Sequence, residues 1–329
     1  MESDDRHQHI FVSAEKLDHL DTCNRDVEKR KKTTVKINQR NQPDLVHLNS
    51  VVLSSSASAL KEANVPFVWH VREQPPKELL GIRNAILKKL MLSCPNELIF
   101  ISNAGRQAWL GNKRGKVIYN FVDLFDFDRK IDQKKSRENL NLPHDAPIIL
   151  YLGGLRKIKG ILSLLKSLKM IKQKIPNVRC LMPDCIYRPP NYFLLNLARK
   201  FLPLLGWGTL GQRIIKKIKN LGLSDTCLLS VFDLDTPTLI AAADVVVFPA
   251  TKPHFGRPVI EAGAMAKPVV ASNLAGTAEL INSGTTGFLV PPNDPDQLAK
   301  AIIEILNDKD LAQKFGQAGY EQACEKFSA

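Results

Sequence analysis

The sequence predicts an α/β protein of two domains, each built on a parallel sheet. Three observations carry this. Short apolar runs alternate with helix-like stretches in two successive series, separated by one charged segment, which is the pattern of βαβ units. A length of 329 residues suits two domains. A hydrophobic share of 44% lets each bury a core of its own.

Residues 1–42 hold one strand candidate, His9–Ser13, followed by a charged stretch with Lys29, Arg30, Lys31 and Lys32 that reads as a solvated loop or helix face. From Pro43 the first series begins. Leu45–Leu48, Val65–Val71, Glu97–Ser102 and Lys116–Tyr119 read as strands, with helical stretches at Ser54–Ala63 and Ile82–Leu92. Residues 121–146 break the rhythm with Asp123, Asp126, Asp128, Arg129 and Lys130, and run into a Pro-containing turn, so they read as an interdomain linker. The expected domains are therefore 1–135, linker included, and 136–329.

The second series opens on Ile148–Leu152, an apolar run typical of a central parallel strand. Further strands are expected at Val178–Met182, Cys227–Val231, Asp244–Pro249, Pro268–Ala271 and Gly287–Val290. Helices are expected at Ile161–Ile175, Pro237–Ala243, Val259–Ala266, Asp296–Asn307 and Leu311–Lys326. The segment Tyr192–Lys219 is apolar and basic, with Arg199, Lys200, Arg213, Lys216, Lys217 and Lys219. It reads equally as a pair of packed helices or as a surface that lies on a membrane.

The bulk numbers narrow the function classes. The net charge is +13, which favours anionic partners. The six cysteines (Cys23, Cys94, Cys180, Cys185, Cys227 and Cys324) have no CxxC spacing and read as reduced thiols of a cytosolic chain, with no metal site expected. The N-terminal residues lack a basic and then apolar leader, and no apolar run reaches ~18 residues, so neither a signal peptide nor a membrane span is expected. No nucleic-acid reading module accompanies the charge, so nucleic acid is not an expected partner.

Two stretches carry chemistry. In Leu152–Gly160, a buried strand leads through Gly153 and Gly154 to Arg156, Lys157 and Lys159 and then to a helix. Glycines allow close backbone approach, and a helix N-terminus with nearby cations can cradle a diphosphate. The second stretch is Pro249–Val270. His254, Phe255 and Gly256 form a turn, Pro258 suits a first helical residue, and Glu261 falls in the expected first turn. There it either answers the helix dipole or binds ribose hydroxyls. Beyond it, Ala275-Gly276 reads as a turn that opens another helix, with Thr277 and Glu279 following.

Taken together, GGLRKIKG, AAADVVVFPA, HFGRPVIEAGAMAKPVVASNLAGTAELI and TTGFLVPPNDPDQLAKAI resemble glycosyltransferase family 4 over about residues 43–329, most densely from 148 onward. The resemblance implies two facing Rossmann-like domains, the GT-B architecture, with the N-terminal domain incomplete in this chain. It implies a retaining transfer, without cofactor or metal, from a UDP-, GDP- or ADP-sugar to a glycan or lipid-linked acceptor. The dispersed thiols, the basic charge and the 192–219 segment add the expectation of a cytoplasmic location with peripheral contact at the inner face of a membrane. By position, Lys159 matches the diphosphate-binding Lys, and Glu261 matches the second Glu of the E-x7-E motif, which holds the ribose. Phe255 and Gly256 match its FG, Gly276 with Thr277 falls at the phosphate-side glycines, and Val231 and Phe232 fall where the backbone contacts the base. On the acceptor side, His70 and Arg72 of Trp69–Glu73 are the expected catalytic residues: Arg72 aligns with the family's active-site His, and His70, two residues earlier, reads equally as a core histidine.

The departures from the family pattern are specific. Pro253 stands where the first Glu of E-x7-E is usual, with His254 as a partial substitute, and Gly154 replaces the Arg of the family's G-R-L turn, leaving Arg156 to supply that phosphate contact. No Gly-rich loop precedes Pro43, and the chain ends at Ala329, so truncation at both ends is expected. An enzyme is thus the leading expectation, and a non-catalytic nucleotide-sugar-binding remnant is the alternative.

Overall fold

The computed structural model describes residues 9–13, 43–76, 81–93, 95–111, 113–183, 210–230 and 235–329. Lys29–Lys32, Phe232 and most of Tyr192–Lys219 lie outside these residues. The chain forms two compact units, Met1–Asn120 and Phe121–Ala329.

In the first unit five parallel strands stand in sequential order: β1 (His9–Ser13), β2 (Leu45–Asn49), β3 (Phe67–Val71), β4 (Glu97–Phe100) and β5 (Lys116–Val117). The helices are α1 (Ser54–Glu62), α2 (Ile82–Ser93) and α3 (Asn103–Leu110). Alternation along β3 buries Phe67, Trp69 and Val71 and leaves Val68 and His70 half-buried on the other face. Glu73 fastens the ends of β2 and β3 together. Its carboxylate accepts from the Ser50 hydroxyl, from Val51 N at 2.9 Å and from Arg72 N at 3.2 Å. The indoles of Trp69 and Trp109 donate to Ser50 O and Glu73 O at 2.9 and 2.7 Å. These bonds satisfy the polar groups of two buried rings where the chain leaves the sheet.

The second unit is a six-stranded parallel sheet. Its strands are β6 (Ile148–Tyr151), β7 (Arg179–Pro183), β8 (Cys227–Ser230), β9 (Val245–Phe248), β10 (Val269–Ser272) and β11 (Gly287–Val290). They lie in the order β11-β10-β9-β6-β7-β8, so the strand order reverses between β6 and β9. Both of these central strands are buried at every position, which explains their unbroken apolar sequence. The helices are α4 (Gln133–Asn139), α5 (Ile161–Lys174), α6 (Leu210–Asn220), α7 (Thr236–Ala242), α8 (Arg257–Ala264), α9 (Pro295–Asn307) and α10 (Lys309–Lys326). On α5 the buried positions Ile161, Leu164, Leu165, Leu168 and Ile171 follow helical spacing, and the basic residues face outward. Asp235, Asp294 and Asp308 cap α7, α9 and α10 with side-chain bonds to first-turn N–H groups. No helix among the described residues is long and apolar enough to cross a membrane.

Residues 121–146 behave differently from the expected linker, and the units divide at 120/121 rather than 135/136. Helix α4 folds onto the second unit because Arg137 caps the end of α7. Its guanidinium donates to Ala242 O (3.0 Å) and His144 O (2.7 Å) and pairs with Asp244 (2.8 Å). Lys267 donates to Ala241 O and Ala243 O at 2.8 Å each, and Gln133 Nε2 donates to Ala243 O and Asp244. The sequence shows only polar and charged residues on α4; the α7-end carbonyls that Arg137 and Gln133 hold lie 105 and 110 positions away in the chain. Removing the buried Arg137 strands two carbonyls and the half-buried Asp244, so Arg137→Met is expected to cost the second unit about 3 kcal/mol, read as a lower urea midpoint.

Candidate donor-binding site

The site grows from the two loops that leave β6 and β9, at the C-terminal ends of the strands where the order reverses. Crevices at such switch points are the usual ligand sites of open parallel sheets. After β6 the chain turns through Gly153 and Gly154. A Cβ on Gly153 would lie 2.3 Å from the Tyr151 ring, and Gly154 takes φ +59°, so both positions need glycine. The Tyr151 hydroxyl lies 3.1 Å from Gly154 O and 3.3 Å from Lys159 O, which closes the loop over the ring. Thr251 N donates to Ile158 O at 2.8 Å, joining this loop to the one after β9.

The loop after β6 and the start of α8, with Pro183 and Thr236, line a cavity of about 390 Å³, and Gly153, Gly154, Arg156, Lys159, Arg257 and Glu261 are among its walls. The basic stretch does not run directly into α5. A 3-10 turn at Lys157–Lys159 intervenes, α5 starts after Gly160, and its first turn is not part of the cavity wall. The expected helix-terminal anion site is thus displaced, and α8 supplies a helix start instead, through Arg257 and Pro258.

Glu261 also sits differently from the sequence reading. Helix α8 begins at Arg257, so Glu261 lies in the second turn, beyond the reach of a simple dipole response. It is 6% exposed, and burial pushes its carboxyl above the usual carboxylate range against the pull of Arg257. Arg257 donates to Oε1 through Nη2 (2.9 Å) and Nε (3.1 Å), and no described residue donates to Oε2. A buried carboxylate with one oxygen available is suited to accept from neighbouring hydroxyls.

Lys159 points its ammonium to 2.6 Å from His254 Nε2 and 5.2 Å from the centre of the Phe248 ring. Burial, and then the Arg156 charge, hold its pKa below the ordinary lysine value. Gly256 packs against Phe248, where a Cβ would come within 2.9 Å of the ring. Gly276 (φ +87°) abuts the His254 carbonyl, which also accepts from Thr277 Oγ1 at 3.1 Å. Residues 275–279 form turns and no helix, so Gly276 and Thr277 reach the site by bracing the His254 turn. Phe255 lies in that turn, among the residues outside the cavity wall. The roles of Tyr151 and Arg257 escape sequence reasoning, because each depends on what the chain brings back to it.

A larger hollow, about 610 Å³, lies at the other ends of the strands over Arg137, Asp244 and Lys267. The Arg137 guanidinium and two of the Lys267 protons are already spent on the α7 carbonyls and Asp244, so the smaller cavity is the better anion site.

His70 and Arg72 belong to the first unit. His70 stacks on His47 at 5.7 Å, and its Nε2 has no hydrogen-bond partner among the described residues. Burial, then the charges of His47 and Arg72, lower its pKa from 6.5 to about 4, so it is a neutral imidazole at neutral pH. Arg72 is exposed, 3.4 Å from Asn120 Oδ1. Between pH 6.5 and about 4 the unfolded chain binds a proton at position 70 that the folded chain refuses. Stability of the first unit should therefore be full above pH 6.5 and fall as pH drops through that window. His70→Gln is expected to flatten the decline in a series of urea titrations.

Comparison with known proteins fits this geometry. The family described as "Glycosyl transferases group 1" matches residues 132–322. In sequence the chain is similar to N-acetyl-alpha-D-glucosaminyl L-malate synthase of Bacillus anthracis (23% identical; 66% of this chain, 50% of that one). It is also similar to D-inositol 3-phosphate glycosyltransferase 2 of Catenulispora acidiphila (29%; 62% and 45%). The chain spans about half the length of these relatives. In structure it is similar to a glycosyltransferase from Rickettsia africae (TM-score 0.74, 25% identical, 97% of this chain and 86% of that one). It is likewise similar to Anabaena HepE in complex with UDP (0.75, 25%, 90% and 78%). Two parallel α/β units of this kind are the GT-B fold, and the chain belongs to the group 1 glycosyl transferases.

Proposed function

We propose that this chain binds a nucleoside-diphosphate sugar in the second unit and transfers a hexosyl or related group, with retention of anomeric configuration, to a lipid-linked or polysaccharide acceptor. The observation that carries this is the cavity at the β6/β9 switch point, where cations and glycine backbone face a buried carboxylate with an available oxygen. Lys159 and Arg156 would take the diphosphate, whose charge grows as the bond to the sugar breaks. Glu261 would hold the ribose hydroxyls. UDP is the favoured carrier, because a similar structure holds it. His70, as a neutral imidazole, and Arg72 are the proposed acceptor-side groups. The exposed Arg213, Lys216 and Lys219 on α6, beside the exposed Ile215, suit work at an anionic membrane face inside the cell.

A second reading, donor binding without transfer, is favoured by Pro253 at the place of the family's first Glu. Calorimetric titration with UDP, GDP and ADP, followed by assay of UDP release from UDP-hexoses with lipid and glycan acceptors, separates the two. Binding with release supports the enzyme. Binding alone supports the second reading. Binding of none of the three nucleotides by the folded chain sinks both.

A further inference from the structure

Among the described residues His254 is the one hydrogen-bond partner of the Lys159 ammonium, and it holds it without neutralising it. Its Nδ1 lies 2.9 Å from Lys252 O. A carbonyl only accepts, so Nδ1 carries the ring proton and Nε2 presents a lone pair to Lys159 at 2.6 Å. Ring packing and the fixed backbone favour that pose. The ring packs on Phe248 with centroids 5.0 Å apart, and the residue's own carbonyl is held by Thr277 and abutted by Gly276. Among the described residues no carboxylate stands within ion-pair distance of Lys159. Burial lowers the imidazole pKa from its ordinary value against the opposing Lys252 carbonyl bond, with the nearby Lys159 acting in the same direction as burial. An acidic side chain in the same place would hold the ammonium equally well, but it would cancel its charge. A neutral acceptor takes one of the three N–H bonds and leaves two, with the full positive charge, for phosphate oxygens.

We propose that His254 is a positioning residue: as the Nδ1–H tautomer it aims Lys159 at the diphosphate of the donor. The proposal rests on the donor-binding reading above.

The test is a double-mutant cycle read by UDP affinity. His254→Ala is expected to weaken UDP binding about tenfold, the scale of one lost bond to a charged group. His254→Gln, whose amide can offer an oxygen near the Nε2 position, should stay within about threefold of the wild type. In a Lys159→Ala background His254→Ala should add nothing. Equal factors in both backgrounds, or Gln as poor as Ala, would overturn the positioning role. Should His254→Ala fail to fold, 15N NMR of the histidine side chains in the whole wild-type chain decides: an Nε2 bearing the proton overturns the proposal, and an Nδ1-protonated ring perturbed by Lys159→Ala supports it. A wild type that binds no UDP overturns the underlying donor reading, whereas loss on Lys159→Ala with no change on His254→Ala overturns this inference alone.

Discussion

Gly160→Ala is expected to destabilise the second unit by about 4 kcal/mol, a large share of the roughly 5–15 kcal/mol that holds a domain folded. Gly160 occupies the left-handed region at φ +80°, and its Cα faces the backbone of the loop after β9. A Cβ there would sit 1.6 Å from Pro249 O and 2.5 Å from its carbonyl carbon. Neither atom is the flexible end of a side chain, so the two loops must part. The Thr251–Ile158 bond and the cavity wall would go with them. The strain of a left-handed alanine, roughly 1–2 kcal/mol, adds to the clash. Gly222→Ala is the matched control. It has a similar φ, +69°, with nothing within 4 Å of the added atom, and should cost about 1 kcal/mol. Urea titration followed by far-UV CD would compare them. Equal losses at the two positions would show that the loop after β6 yields, and the tight stitching described here would be wrong.

Much of this architecture is legible in the sequence because parallel strands buried on both faces must be apolar throughout. Ile148–Tyr151 and Val245–Phe248 meet that condition and are found as strands within a residue of expectation. Helix α5 is legible for a related reason: its apolar residues recur at helical spacing, while its lysines do not interrupt them. The short helices are harder. Asn103–Leu110 has eight residues, with its start fixed by a Ser102 cap and its end by Gly111 at φ +62°, signals too local to stand out beside longer elements. Gln133–Asn139 is mostly polar, and it is folded against the second unit by long-range bonds of one arginine.

The site divides along the same line. Glycines and cations after β6 are visible as a pattern, since a turn that approaches a ligand needs both. What the pattern cannot carry is which helix start meets the cavity, because the 3-10 turn at Lys157–Lys159 shifts α5 away by about one turn of chain. Nor can it tell that Arg257, a residue four positions before Glu261, occupies one oxygen of the carboxylate while leaving the other available. Both facts are set by tertiary placement.

Lys159→Ala should weaken UDP binding about thirtyfold while leaving the affinity for uridine unchanged. A lysine bond to a phosphate oxygen contributes roughly 1.5–3 kcal/mol when water is partly excluded, and Lys159 is half-buried against Phe248. Arg156 lines the same cavity but is exposed, so solvent and salt screen it, and Arg156→Ala should cost only a few-fold. Glu261→Ala should show the opposite selectivity. Its available oxygen would serve hydroxyls, so the loss should appear equally with uridine and UDP and shrink with 2′-deoxy-UDP. The two variants together form a crossed pattern, one tracking the phosphates and the other the ribose. A cavity that merely attracts anions through the net charge of +13 would lose UDP on Lys159→Ala but would ignore Glu261→Ala and bind uridine hardly at all. Crossed losses would orient the nucleotide, with phosphates on the loop after β6 and ribose on α8. Parallel losses, with both variants weakening both ligands alike, would mean that the residues support the fold of the pocket and do not touch separate parts of the donor.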